Sequence, residues 1–274
     1  MLGKLTKFEF RAVNKILLLI NGFTVLLTLI GCLTFASPLW DFDSAYIGAL
    51  AMSSVMVYYI AIIAISLFAF IYLAVRFYKN LYTDEGYLMH TLPVTPKELI
   101  WSKAIAAFCW IMITTLMICF SVCAILGSAY LKFGVEELED ISEIILALND
   151  FCKEVYGMTL SGFCIFAVFA IVIGSFNAIF MAYAAVSVGQ LFNRHKVLGS
   201  ILCYIGFYFL SQILSMIVML PYWVHLFSSD YMDGTGMGSY MRYELTATVI
   251  LSAILAVIYY IITEMMMRKK LNLD

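Results

Sequence analysis

Six long apolar runs alternate with short polar connections along this chain. They cover residues 16–35, 47–75, 104–129, 158–187, 198–222 and 245–265. Five carry no charged residue, and the sixth reaches only Glu264 at its far end. Each is long enough to cross a hydrocarbon core of about 30 Å, which takes about 20 helical residues. A segment in lipid must satisfy its own backbone hydrogen bonds, so the runs predict six transmembrane helices and an all-α membrane protein. The whole chain, 1–274, reads as a single transmembrane domain.

Two shorter segments carry an amphipathic pattern. In residues 1–15, Lys4, Lys7, Arg11 and Lys15 recur at helical spacing beside Leu2, Leu5, Phe8 and Ala12. This fits a helix lying on the membrane surface before the chain turns into the first span. An ordinary positive flank fits the same residues. In 133–153, Val135, Leu138, Ile141, Ile145 and Leu148 recur at helical spacing among acids. That segment reads as an amphipathic helix outside the membrane. Its acids form either a lip attracting cations or a solvated face.

Charge fixes the expected orientation. Of the 16 Lys and Arg, all but Lys132, Lys153 and Arg242 fall at the termini or in the second and fourth connections. By the positive-inside rule both termini are expected in the cytoplasm, in agreement with the even span count. At 64% hydrophobic and 12% charged, with mean hydropathy +0.98, the composition excludes an ordinary soluble domain. The inner basic residues are spread along membrane flanks and form no continuous patch, so no nucleic-acid partner is expected. Most of the 7 cysteines fall in spans, and no disulfide framework can be drawn.

The longest cytoplasmic connection, Arg76 to Lys103, is the segment best suited to meet a soluble partner. Thr83 can cap a short helix with Asp84 and Glu85 in its first turn, and Pro93 limits that helix. The sequence Thr95-Pro96-Lys97-Glu98 is a second helix start. Thr95 is its cap, Pro96 takes the first helical position and Glu98 completes a capping box. A short helix over 83–92, a proline-bounded turn and a rigid restart into the third span are predicted.

The stretch YTDEGYLMHTLPVTPKELIWSK resembles the segment after the second span in permease subunits of ABC-2 type ABC transporters. The matching residues are Glu85, Gly86, Tyr87, Thr91, Leu92, Pro93, Ser102 and Lys103. The resemblance implies a cytoplasmic coupling helix that seats in an ATP-binding subunit, with Thr83, Asp84, Glu85, Gly86, Tyr87 and His90 as its coupling residues. It also implies Lys4, Lys7, Phe8 and Arg11 on an N-terminal interface helix in contact with membrane lipid. The expected partners are a P-loop ATPase carrying ATP and Mg, and a second permease copy or a homologous permease. Asp84 and Glu85 equally suit plain helix-start electrostatics.

No phosphate loop, HExxH or GxSxG motif occurs, so the chain is not expected to be an enzyme by itself. His90, His195 and His225 lie in different connections, and no metal site is expected. No span carries an acid or base at its middle, which argues against an ion-coupled carrier. Asn21, Asn177, Gln190 and Gln212 stand out within the spans and suit hydrogen bonding across helices as packing groups; the alternative is that Asn177 and Gln212 line a translocation path. The expected function is export of an amphipathic or hydrophobic substrate, such as a peptide, antibiotic or lipid-like molecule, driven by a separate ATPase. A bacterial plasma membrane is the expected location. A membrane receptor or assembly scaffold using the same loop is the alternative.

Overall fold

Proline placement follows its missing N–H. Among the described residues, Pro93 lies in a connection and Pro96 opens a helix, where that N–H is not needed. Pro221 alone among them lies in a helix interior. The computed structural model describes residues 2–37, 45–83, 86, 93–133, 141–192, 194–228 and 235–269. Among these residues the elements are α1 (Leu2–Ala36), α2 (Ala45–Tyr82), α3 (Pro96–Phe133), α4 (Ile141–Tyr156), α5 (Leu160–Gly189), α6 (Lys196–Ser228) and α7 (Thr235–Lys269).

All but α4 are long and apolar enough to cross a membrane, giving the six spans expected. These helices run 30 to 38 residues. At 1.5 Å per residue they are about 45–57 Å long, so their ends extend past the hydrocarbon core.

One expectation is corrected at the N-terminus. No turn separates residues 1–15 from the first span: α1 runs unbroken from Leu2 to Ala36. The reason is a buried stripe, Glu9, Val13, Leu17, Asn21, Thr24 and Thr28, that continues through the proposed junction at three- and four-residue spacing. Lys4, Lys7, Phe8 and Arg11 are all exposed, on the face away from Glu9. The basic stripe therefore belongs to the first span's own helix.

The chain packs as two compact units. Unit 1 comprises Met1–Phe77 and Lys97–Glu137; unit 2 comprises Tyr78–Pro96 and Leu138–Asp274. Unit 1 thus holds α1, most of α2 and nearly all of α3. Its interior is rich in small and polar groups: Thr24, Thr28, Ser102, Ala104, Thr114 and Ser121 are buried. Large side chains such as Leu19, Met56 and Phe120 are instead about two-thirds exposed or more. That inversion suits lipid, where burying Leu brings no hydrophobic gain and close packing with hydrogen bonds holds helices together.

Unit 2 is built around α5, which packs against both α6 and α7. Its last third, Ile179 to Ser187, is buried on every side. The hairpin into α6 is tight: a Cβ on Gly189 would stand 2.5 Å from the Ser200 backbone, so only glycine fits. The amphipathic segment predicted at 133–153 appears as α4 over 141–156, while 134–140 lie outside the described residues. Packed on α5 and α7, α4 buries Cys152 and leaves Ile145, Leu148 and Phe151 about half exposed. It stops at Gly157, whose φ of +64° favours glycine and whose N–H bonds to the Lys153 carbonyl at 3.0 Å.

Candidate functional site

Within unit 1, α1 and α3 carry polar groups at matching heights. Glu9 meets Lys103, Asn21 meets Thr114 and Thr28 meets Ser121, at sequence separations of 94, 93 and 93. A nearly constant separation means that the two helices run parallel in fixed register. The rungs lie about 18 and 28 Å along α1 from Glu9, at 1.5 Å per residue. Antiparallel α2 joins the first rung through Arg76 and the last through Tyr58.

The first rung is ionic. Glu9 and Lys103 form a direct charged hydrogen bond, with side chains 5% and 4% exposed. The Arg76 Nε lies 3.7 Å from the other Glu9 oxygen. One carboxylate thus serves two cations from two helices, with a net charge of +1. All three residues flank the uncharged runs, so the cluster sits where the chain leaves the hydrocarbon. The two most buried charges, Glu9 and Lys103, are tolerated because they neutralise each other, while Arg76, 26% exposed, keeps some contact with its surroundings.

The upper rungs are neutral. Asn21 donates to Thr114 Oγ1 at 3.2 Å and to the Leu17 carbonyl at 2.8 Å. Thr28 donates to Ser121 Oγ at 2.6 Å, and Tyr58 Oη lies 2.5 Å from the same oxygen. Beside this rung lies an apolar groove of about 360 Å³, lined by residues including Leu27, Ile30, Gly31, Tyr58 and Ile125. Gly31 keeps it narrow: a Cβ there would stand 2.5 Å from Ile125 Cδ1.

The residues expected to couple to a partner are only partly described. Asp84, Glu85, Tyr87 and His90 lie outside the described residues, so the helix predicted over 83–92 does too. The two that remain are bound to the end of α2. The Thr83 hydroxyl donates back to the Lys79 carbonyl at 2.5 Å, closing α2 where it was expected to cap a following helix. The Thr83 carbonyl accepts from the Gly86 N–H at 2.7 Å. Gly86 is buried, and a Cβ there would stand 2.5 Å from the Leu81 carbonyl oxygen. Glycine is required by this backbone approach. One turn earlier, Tyr82 is buried and donates to Ser187 Oγ of α5 at 2.8 Å, tying this end of α2 into unit 2.

Other expected residues separate. Pro96 is the first residue of α3, as predicted, and Leu99 behind it is buried. Asn177 is half-buried on α5, its amide oxygen enclosed and unpartnered among the described residues, whereas Gln212 is exposed on α6. No hydrogen bond joins them. Glu264 pairs with Arg268 at 2.8 Å, as their spacing allows. The 7 cysteines are free thiols, and no metal-competent cluster occurs among the described residues.

Sequence reasoning missed Glu9. The signal was present, because Glu9 is the only acid before Asp41 and stands on the helix face opposite the basic stripe. Its partner Lys103 had been placed in the Ser-Lys start of the third span. No protein-family model, curated protein or solved structure matches this chain.

Proposed function

We propose that this chain is the permease subunit of an ATP-driven exporter of the ABC-2 type, working with separate P-loop ATPase subunits and a second permease. The observation that carries the reading is how firmly the connection between the second and third spans is held at both ends. At its start, Gly86 is seated on the Leu81 carbonyl. At its end, α3 restarts at Pro96 and seven residues later is bound to α1 through Lys103 and Glu9. A segment so anchored transmits displacement into membrane helices, whereas a slack loop would absorb it. Six apolar spans and the absence of a phosphate loop support the same assignment.

In this mechanism both termini and the 83–92 segment face the cytoplasm. ATP-driven closure of the ATPase pair moves the coupling segment, and the ion cluster passes the motion from α3 to α1 and α2. The substrate is amphipathic or hydrophobic, in keeping with spans that lack mid-membrane charge.

The test is coexpression with the P-loop ATPase expected in an adjoining reading frame, followed by purification and ATP turnover. Asp84→Arg plus Glu85→Arg should lower copurification and turnover at unchanged permease yield. Equal copurification and equal hydrolysis by wild type and variant would remove the docking role. A receptor or scaffold using the same loop predicts docking without ATP-dependent efflux from vesicles.

A further inference from the structure

The connection between α5 and α6 holds a basic cavity that the export reading does not use. Leu160–Gly189 and Lys196–Pro221 are both long and apolar enough to cross a membrane, which suits Arg194, His195 and Lys196 to the level where lipid headgroups sit. Arg194, His195 and Lys196 line a cavity of about 410 Å³ with Tyr78 from the end of α2. No carboxylate lines it among the described residues.

Backbone hydrogen bonds hold the described residues on either side of 193. Leu191 N–H bonds to the Val188 carbonyl at 3.0 Å, and Phe192 N–H to the Gly189 carbonyl at 3.2 Å. Gly199 lies so close to Phe192 that a Cβ would stand 2.5 Å from its ring. On the other side, the Gly199 N–H closes the first turn of α6 on the His195 carbonyl at 2.8 Å. His195 precedes that turn and has no side-chain oxygen to cap it, so the positive end of α6 adds to the field of the two cations.

Two of the lining side chains are apolar and exposed: Val197 and Leu198, each 56% exposed. A soluble anion in the cavity would leave both in water. A phospholipid covers them with its glycerol and acyl region while presenting its phosphate to the cations. We infer that the Arg194–His195–Lys196 turn, with Tyr78, is a binding site for the headgroup phosphate of an anionic phospholipid.

The experiment uses the full chain purified in detergent and native mass spectrometry against phosphatidylglycerol, phosphatidylcholine and sodium phosphate. Wild type should retain phosphatidylglycerol in preference to phosphatidylcholine. Arg194→Gln plus Lys196→Gln should reduce retention about tenfold or more, because each headgroup-level cation contributes appreciably to anionic-lipid binding. Lys132→Gln plus Lys153→Gln removes the same charge away from the inner basic flanks and should change retention by less than about twofold. The charge-keeping pair Arg194→Lys plus Lys196→Arg should restore most of the binding, which separates lost charge from lost fold. Equal losses in the two Gln pairs would reduce the effect to general surface potential and overturn the site. Retention of phosphatidylcholine as strong as phosphatidylglycerol would overturn it as well. Displacement of the lipid by millimolar phosphate would make the ligand a soluble phosphate and overturn the lipid assignment.

Discussion

Removing the Glu9 carboxylate should damage this protein more than removing its lysine partner. Glu9→Gln leaves two cations, Lys103 and Arg76, without the carboxylate they share. Lys103 is 4% exposed in its side chain and cannot turn to water, whereas Arg76 at 26% can do so in part. Breaking a buried ion pair from one side typically costs about 3–5 kcal/mol, and Glu9→Gln should fall in that range. Lys103→Met leaves Glu9 with Arg76, 3.7 Å away and able to close in, so its cost should be about 1–3 kcal/mol. The double variant Glu9→Leu plus Lys103→Met removes both desolvated charges and keeps the volume roughly filled. Its cost should be within about 1 kcal/mol of wild type, as when a buried pair is replaced by apolar groups. The assay is equilibrium unfolding of the purified chain in mixed micelles at increasing denaturing detergent, with all variants carried through one thermodynamic cycle. A double variant whose cost equals the sum of the singles would refute the reasoning, since it would mean that the two residues do not interact.

Further outcomes follow at particular glycines and at one shared hydroxyl. Gly189→Ala should destabilise unit 2 by about 1–3 kcal/mol, because its Cβ would stand 2.5 Å from the Ser200 backbone and neither helix can yield cheaply. Gly206→Ala, with nothing within 4 Å, should be neutral or slightly stabilising in the same unfolding assay. Ser121→Ala removes the oxygen shared by Thr28 and Tyr58 and should cost about 1 kcal/mol, membrane hydrogen bonds averaging about 0.6 kcal/mol each. Gly86→Ala should lift the loop off the Leu81 carbonyl and raise its cleavage rate by added protease severalfold, while Gly48→Ala, in open space, should not.

What the sequence determined by itself is the class and the count of spans. Bilayer thickness sets a length that apolar runs either reach or do not, so five of the six expected runs fall inside observed helices and the sixth, 158–187, starts two residues before the helix that opens at Leu160. The start of α3 at Pro96 was equally legible, because proline at a first helical position is a local rule. The pairing of Glu264 with Arg268 was a matter of one helical turn.

Tertiary structure decided which polar residues matter. Asn177 and Gln212 drew notice as amides in apolar surroundings, yet they do not meet. Glu9 looked like one more charge in a basic flank, yet it is the buried centre of the three-helix cluster in unit 1. Its role depends on Arg76 and Lys103, more than 60 residues away along the chain. No periodicity within one helix reveals which residue of another helix stands at its height. The unbroken course of α1 has the same cause: the stripe from Glu9 to Thr28 is buried where α3 meets it in parallel register and α2 joins its first and last rungs. Hydrophobic length is a property of one segment and the bilayer, whereas partner choice is a property of packing.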